Sequence, residues 1–502
     1  MRAFPPLRGA HPALALTITL LLLVALLAPS ASRPVEAQAP LAQLRAFWVD
    51  NFNPGFYNHP QVDELVENVV RAGANAIFMQ ARRHGDAWYN RAFEPRGADP
   101  RLAPANEFDP LEYLIEKAHS RGVQVHAWLV ISVTCRPSDR LWNHPQHVCT
   151  AHGPGASGAE RWTTATYSGA QVGDLDFGHP ESIAYLERLV QHLLRAYPAL
   201  DGIHWDYIRF AGKEYGYNQV SVERFNQAHG RPLDSRPAPD DPAWSQWRRD
   251  RVSELARRLY IRAKAENPAI QVSAATIAWG GLGNNGEWWR SAAYDRVFQD
   301  WPAWLEEGIL DFAMPMYYFA EGDPRSRDWY DGWLRFSRER AGRRAIVPGI
   351  GAWLNTPEQN VSQVQRALAS DGQGRSTAGV AFFSYARPIT TATSETRRAF
   401  MDQLRATVFA QPAVAPAWPW IVAPTGGHLQ GIAAVDGQVA PGAKVTLFHN
   451  GAWLRDLTAM GDGWFGAVEL PSGLYTVVIT HPDGRQIWRE GVVVQPGLVT
   501  SL

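Results

Sequence analysis

The sequence predicts an eight-stranded (β/α) barrel of the TIM type followed by a small C-terminal β-sandwich. Between residues 42 and 409, eight short apolar runs alternate with longer amphipathic stretches. A Pro- and Ala-rich stretch then covers residues 411–424, with Pro412, Pro416, Pro419 and Pro424. From residue 425 to 502 the pattern changes to short alternating runs broken by Gly, Pro and Asp-Gly turns.

The eight runs are RAFWVD (45–50), AIFMQA (76–81), QVHAWL (124–129), GIHWDYIRF (202–210), QVSAAT (271–276), FAMPMYY (312–318), AIVPGIG (345–351) and AGVAFFSY (378–385). Each is rich in β-branched or aromatic residues and has the length of a strand. The stretches between them read as helices. Residues 60–74 place Val62, Leu65, Val66 and Val69 on one face, and residues 109–122 begin with Asp109 as N-cap and Pro110 at the first helical position. Residues 179–197 and 245–267 follow the same pattern. Strand and helix repeated eight times fit a closed parallel barrel. An open doubly wound sheet shares the alternation, but no Gly-rich phosphate loop follows the first run. Residues 411–424 read as a stiff, extended linker, and 425–502 as a β-sandwich.

Residues 1–31 read as an export signal, with Arg2 and Arg8 before an apolar run at 13–28 and small residues after it. The run is shorter than the roughly 20 residues a spanning helix needs. The expectation is a secreted or envelope-associated protein with no stable membrane span once the signal is removed. The two cysteines, Cys135 and Cys149, lie fourteen positions apart, a spacing that suits a disulfide in an exported protein. Charge is balanced, 48 basic against 49 acidic side chains, which gives no electrostatic case for nucleic acid as a partner. The 21 Trp residues offer flat apolar faces suited to sugar rings, or simply fill a large core.

In such barrels the active site lies at the C-terminal ends of the strands. Asp206 ends the fourth run, and a lone carboxylate in an apolar strand needs a partner or a task. It is read as a working carboxylate, the alternative being a buried pair with Arg82 or Arg209. His126 and His204 are read as neutral histidines hydrogen-bonded inside the barrel, because too few further ligands converge for a metal. Trp128, Tyr317, Tyr318 and Trp353, with Gln80, Arg82 and Asp86, describe an aromatic-walled polar groove suited to a carbohydrate.

These segments resemble the glycosyl hydrolase-like 10 family. The resemblance is carried by LRAFWVDNFN, NAIFMQARRHGDAWYNRAFEP, FDPLEYLIEKAHSRGVQVHAWL, GDLDFGHPES, LDGIHWDYIRF, WLEEGILDFAMPMYY and AGVAFFSYA, which cover nearly the whole barrel. It implies hydrolysis of a glycosidic bond in a polysaccharide, such as peptide-free peptidoglycan strands or another N-acetylated amino-sugar polymer, without a cofactor or metal. By the same resemblance Asp206 is the strand-four acid, and Gln80, Arg82, Asp86, His126 and Arg209 line the site. The second carboxylate that many barrel glycosidases carry after strand seven is missing from GIGAWLN. Asp206 is therefore expected as nucleophile or general base, with Glu321 as the acid. Glu287 and then Asp50 are the next candidates, and a substrate N-acetyl group acting as nucleophile would dispense with a second protein nucleophile. A non-catalytic glycan-binding barrel and a metal-dependent polysaccharide deacetylase are the alternative functions.

Overall fold

Eight parallel strands close on themselves in the computed structural model. They are β1 (Leu44–Val49), β2 (Ala76–Arg82), β3 (Gln124–Val130), β4 (Gly202–Asp206), β5 (Gln271–Thr276), β6 (Phe312–Tyr317), β7 (Gly349–Gly351) and β8 (Gly379–Phe383). Each pairs with its neighbour in sequence order, and β8 pairs with β1 to close the ring. This is the TIM barrel expected from the alternation. The structure describes residues 40–137, 140–282 and 286–502, so the export signal expected at 1–31 lies outside the described residues. Among them, no helix is long and apolar enough to cross a membrane.

The helices after each strand form the outer layer: α1 (His59–Ala72), α2 (Pro110–His119), α3 (Pro180–Ala196), α4 (Pro242–Glu266), α5 (Trp301–Glu307), α6 (Pro324–Arg340), α7 (Pro357–Leu368) and α8 (Ser394–Ala406). Local chemistry sets their ends. The Asn58 side chain accepts from Gln61 N at the start of α1, and Asp109 accepts from Leu111 N and Glu112 N ahead of Pro110 in α2. The α1 face buries Val62, Leu65, Val66 and Val69.

Alternation along the strands decides which side chains enter the barrel. Leu44, Ala46, Trp48, Ala76, Phe78, Trp128, Phe312, Met314 and Ala381 form its interior cluster. His126 belongs to this layer, stacked on Phe78 at 4.3 Å between centroids. It fits because β4 begins with a glycine: a Cβ at Gly202 would stand 1.9 Å from His126 Nδ1.

Residues 411–424 do not behave as a free linker. Ala413–Val414 pair with Leu41–Ala42, and Trp418 closes the N-terminal mouth of the barrel. Its ring stacks on Phe312 at 5.4 Å and its indole N–H donates to Gln271 Oε1 at 2.7 Å. Trp420 donates to Asp311 Oδ1 at 2.8 Å. Composition shows the stiffness of such a stretch but not that its tryptophans have a surface to cover. Beyond it, one sheet of three strands and one of four, the latter antiparallel, enclose a separate apolar core. This region sits against α4, where Arg258 pairs with Asp462 at 2.5 Å and lies over the Trp464 ring at 4.6 Å. Arg344 pairs with Glu469 at 2.8 Å. Residues 41–502 accordingly form one compact unit.

Candidate active site

A cavity of about 290 Å³ opens at the C-terminal face of the barrel. Asp206 lies in its wall, 7% exposed. Its neighbour Tyr207 takes a left-handed backbone conformation, φ 52°, which costs an L-residue about 1–2 kcal/mol. That turn aims the Tyr207 N–H at Asp206 Oδ1, 2.7 Å away. The Trp128 indole N–H donates to Oδ2 at 3.1 Å. Burial raises the Asp206 pKa, against the opposing effects of the Arg209 charge and these two donors.

Arg209 lies beside it, its guanidinium over the rings of Tyr207 at 4.3 Å and Trp279 at 5.0 Å. Burial lowers its pKa, with Asp206 opposing. No hydrogen bond joins Arg209 to Asp206, and the two act on each other through their charges. Gln80 and Tyr318 also line the cavity. Burial, reinforced by Asp206, holds the Tyr318 hydroxyl well above its ordinary pKa, so it keeps its proton.

The structure moves four expected site residues elsewhere. Arg82 is fully buried and pairs with Glu94, Nε to Oε2 at 2.9 Å. The pairing of β2 with β3 slips between Gln80 and Arg82, and such a bulge re-aims the side chain that follows it. Arg83 faces the cavity instead. His126 lies deeper in the barrel, and burial lowers its pKa to about 4. Tyr317 points outward to the helical layer, donating to Trp333 O at 3.0 Å, because Met316 has the inward parity. Glu321 is clamped between α6 and α7. Arg366 donates to its two oxygens at 2.8 and 2.6 Å, and Arg327 pairs with it at 3.1 Å. It is not in the cavity wall, and neither is Glu287, which pairs with Arg290 at 3.0 Å.

Asp50 is better placed. Its Oδ1 accepts from Phe52 N, Asn53 N and Asn53 Nδ2, while no described residue donates to Oδ2. It lines a depression with Trp353 and Phe383, and Phe383 also lines the Asp206 cavity. Asp86 accepts from His84 N and the Trp88 indole and lines another depression, with Arg83 and Asp99. His204 accepts from the Trp48 indole at 3.1 Å and faces Ser273 Oγ at 2.9 Å, the neutral arrangement expected. Among the described residues no three His, Cys, Asp or Glu side chains converge in metal-ligand geometry. Cys135 and Cys149 form a disulfide.

Sequence reasoning missed Tyr207, Trp279, Arg83 and Phe383. Phe383 carried a usable signal, since it ends a barrel strand. The left-handed turn at Tyr207 and the bulge before Arg83 left no mark in composition or periodicity.

Residues 43–331, more than half of the chain, match the family described as glycosyl hydrolase-like 10. The chain belongs to the glycosyl hydrolase-like 10 family. Among curated proteins it is similar to the glycosyl hydrolase YngK of Bacillus subtilis, 23% identical over 71% of this chain and 68% of that protein. It is also similar to the glycosyl hydrolase DigH of Escherichia coli, 26% identical over 54% of this chain and 61% of that protein. Among solved structures it resembles the PgaB (BpsB) glycoside hydrolase domain from Bordetella bronchiseptica. The TM-score is 0.50 at 16% identity, covering 72% of this chain and 99% of that one. The catalytic domain of a β-amylase from Paenibacillus polymyxa gives 0.50 at 10% identity, covering 74% and 100%. At these identities the structural likeness is one of fold.

Proposed function

We propose that the protein is an exported glycoside hydrolase that cuts a cell-envelope or extracellular polysaccharide, with Asp206 as its general acid. The observation that carries this reading is the buried Asp206 carboxyl in an aromatic-walled cavity at the catalytic face of a glycosidase-type barrel. A carboxyl whose pKa is raised by burial keeps its proton to a higher pH and can hand it to a leaving glycosidic oxygen. The acid's role passes to Asp206, read from sequence as nucleophile or general base, because Glu321 is held by Arg327 and Arg366 and does not line the cavity. Asp50, which lines the adjoining depression, is the partner carboxylate. It would activate water or steady positive charge at the anomeric carbon.

Trp128, Tyr318 and Trp279 present flat faces and N–H or O–H donors around Asp206, which favours a sugar over an acyl or phosphate substrate. A metal-dependent deacetylase would need a ligand set that the described residues do not bring together. The test is incubation of the purified protein with peptide-free peptidoglycan strands and with poly-N-acetylglucosamine, with and without chelator. New reducing ends in both conditions are expected. Binding without new ends would overturn hydrolysis in favour of a glycan-binding barrel, and acetate release abolished by chelator would overturn it in favour of deacetylation.

A further inference from the structure

The C-terminal region sets one of its sheets against the barrel and leaves the outer face of the other open. All three strands of the smaller sheet touch α4. The larger sheet consists of β9 (Lys444–His449), β10 (Ala452–Thr458), β11 (Gly473–Thr480) and β12 (Gln486–Val494), in the order β10-β9-β11-β12. Its inner face supplies Val445, Leu447, Val477 and Ile479 to the apolar core. Its outer face carries Trp453 and Trp488, 63% and 55% exposed. Trp453 reaches that face through a bulge. Arg455 pairs with Leu447 but Trp453 pairs with Phe448, so Leu454 is left over and the parity of the strand reverses. Strict alternation from Asp456 would have sent Trp453 inward. Trp488 pairs with Val478, whose neighbours Val477 and Ile479 point into the core. The two indoles therefore share one face, on the two edge strands, about 14 Å apart across the sheet at the usual strand spacing.

We infer that this outer face is a second carbohydrate-binding surface, which holds the polysaccharide on Trp453 and Trp488 while the barrel cuts it. The inference rests on the reading of the barrel as a polysaccharide hydrolase and adds a place where the same polymer is held without being cut. One exposed Trp on a protein surface is ordinary. Two on one face of one sheet, one of them delivered by a bulge, make a platform. An indole offers a flat apolar face and an N–H donor, and a pyranose offers an apolar C–H face rimmed by hydroxyls. Rings this far apart suit a stiff ligand longer than one sugar. The charges beside Trp453 cancel: Lys444 Nζ lies 3.0 Å from Asp456 Oδ2, and Thr446 Oγ1 donates to Asp456 Oδ1 at 2.7 Å. That favours an uncharged polymer over nucleic acid or an anionic lipid surface, which need clustered cations. A protein partner fits less well. The exposed parts of the two rings offer about 200–300 Å², well below the about 800 Å² per partner of a stable interface.

The test is binding by the full chain to beads carrying poly-N-acetylglucosamine or peptide-free peptidoglycan strands, on the Asp206→Asn background so that the polymer is not consumed. Trp453→Ala and Trp488→Ala should each weaken binding about tenfold, and the two together more. Trp453→Phe and Trp488→Phe, which keep a flat ring, should weaken it less. Both side chains are exposed, so urea unfolding midpoints should stay at the parent's value, which separates lost binding from lost folding. Binding should be equally strong at low and high salt. Unchanged binding by the double variant, no binding of the parent to either polymer, or binding that salt abolishes would overturn the inference. So would a dimer of the parent, seen by sedimentation, that the double variant loses, since the face would then join two copies of the chain. Reducing-end release by the unsubstituted protein is measured separately. Tryptophan-dependent binding without new reducing ends would count against hydrolysis and leave the binding surface standing. New ends with binding indifferent to both tryptophans would do the reverse.

Discussion

Glu321 offers a direct separation of structure from chemistry. Its side chain is 7% exposed and takes Arg366 at 2.6 Å and Arg327 at 3.1 Å, with Gln363 Nε2 at 3.3 Å from Oε2. Glu321→Ala removes one of the acceptors that tie α6 to α7. Breaking a fully buried ion pair costs about 3–5 kcal/mol. Here Arg366 is 28% and Arg327 50% exposed, so both can rehydrate, and Arg366 keeps Asp331 at 2.9 Å. An exposed pair contributes only about 0–1 kcal/mol, which places the expected loss between these limits, at about 2 kcal/mol. Urea unfolding followed by tryptophan fluorescence measures it as a lower midpoint with unchanged slope. Reducing-end release by the folded variant should stay within about threefold of the parent. A stable variant whose turnover falls more than about a hundredfold, the scale of a lost general acid, would refute the structural assignment and restore Glu321 to the chemistry.

Three further expectations concern other parts of the molecule. Trp418→Ala empties the N-terminal mouth of the barrel and removes the bond to Gln271, and should cost about 3–5 kcal/mol in urea unfolding; a loss below about 1 kcal/mol would mean the segment is a tether after all. Reduction of Cys135–Cys149 frees a loop of fourteen residues and should lower stability by about 3 kcal/mol, measured as the unfolding midpoint with and without reductant; an unchanged midpoint would contradict it. Burial raises the folded-state pKa of Asp206 above its unfolded value, so the native state binds more protons between those two values and Asp206 penalises folding increasingly as pH rises through that window. The Asp206→Asn variant should therefore match its parent in acid and exceed it in stability at neutral pH, a crossover readable from unfolding midpoints against pH, and a variant less stable at every pH would contradict the burial argument.

The barrel was legible because its signal is repeated: β-rich runs and capped amphipathic helices recur eight times, and each repeat limits the reading of the next. Asp206, Gln80, Trp128, Arg209 and Tyr318 were legible because strand ends face the active side and all five line the cavity. Tyr317 was an avoidable error, since Phe312 and Met314 point inward and alternation sends Tyr317 outward. Arg82 was not avoidable, because a single bulge between Gln80 and Arg82 exchanges the roles of adjacent arginines without changing composition. Glu321 misled because a glutamate after a strand looks the same in sequence whether it faces the barrel axis or an arginine on the next helix.

The central claim, that Asp206 is the reacting group of a glycosidase, is tested most directly by the turnover of Asp206→Asn on poly-N-acetylglucosamine and on peptide-free peptidoglycan strands, beside a folding control. The side chain keeps its size and can still accept from Trp128 or Tyr207, so binding should survive. The account predicts a folded variant that binds both polymers but forms new reducing ends at least about a hundredfold more slowly than its parent. Undiminished release of reducing ends by the folded variant would contradict it.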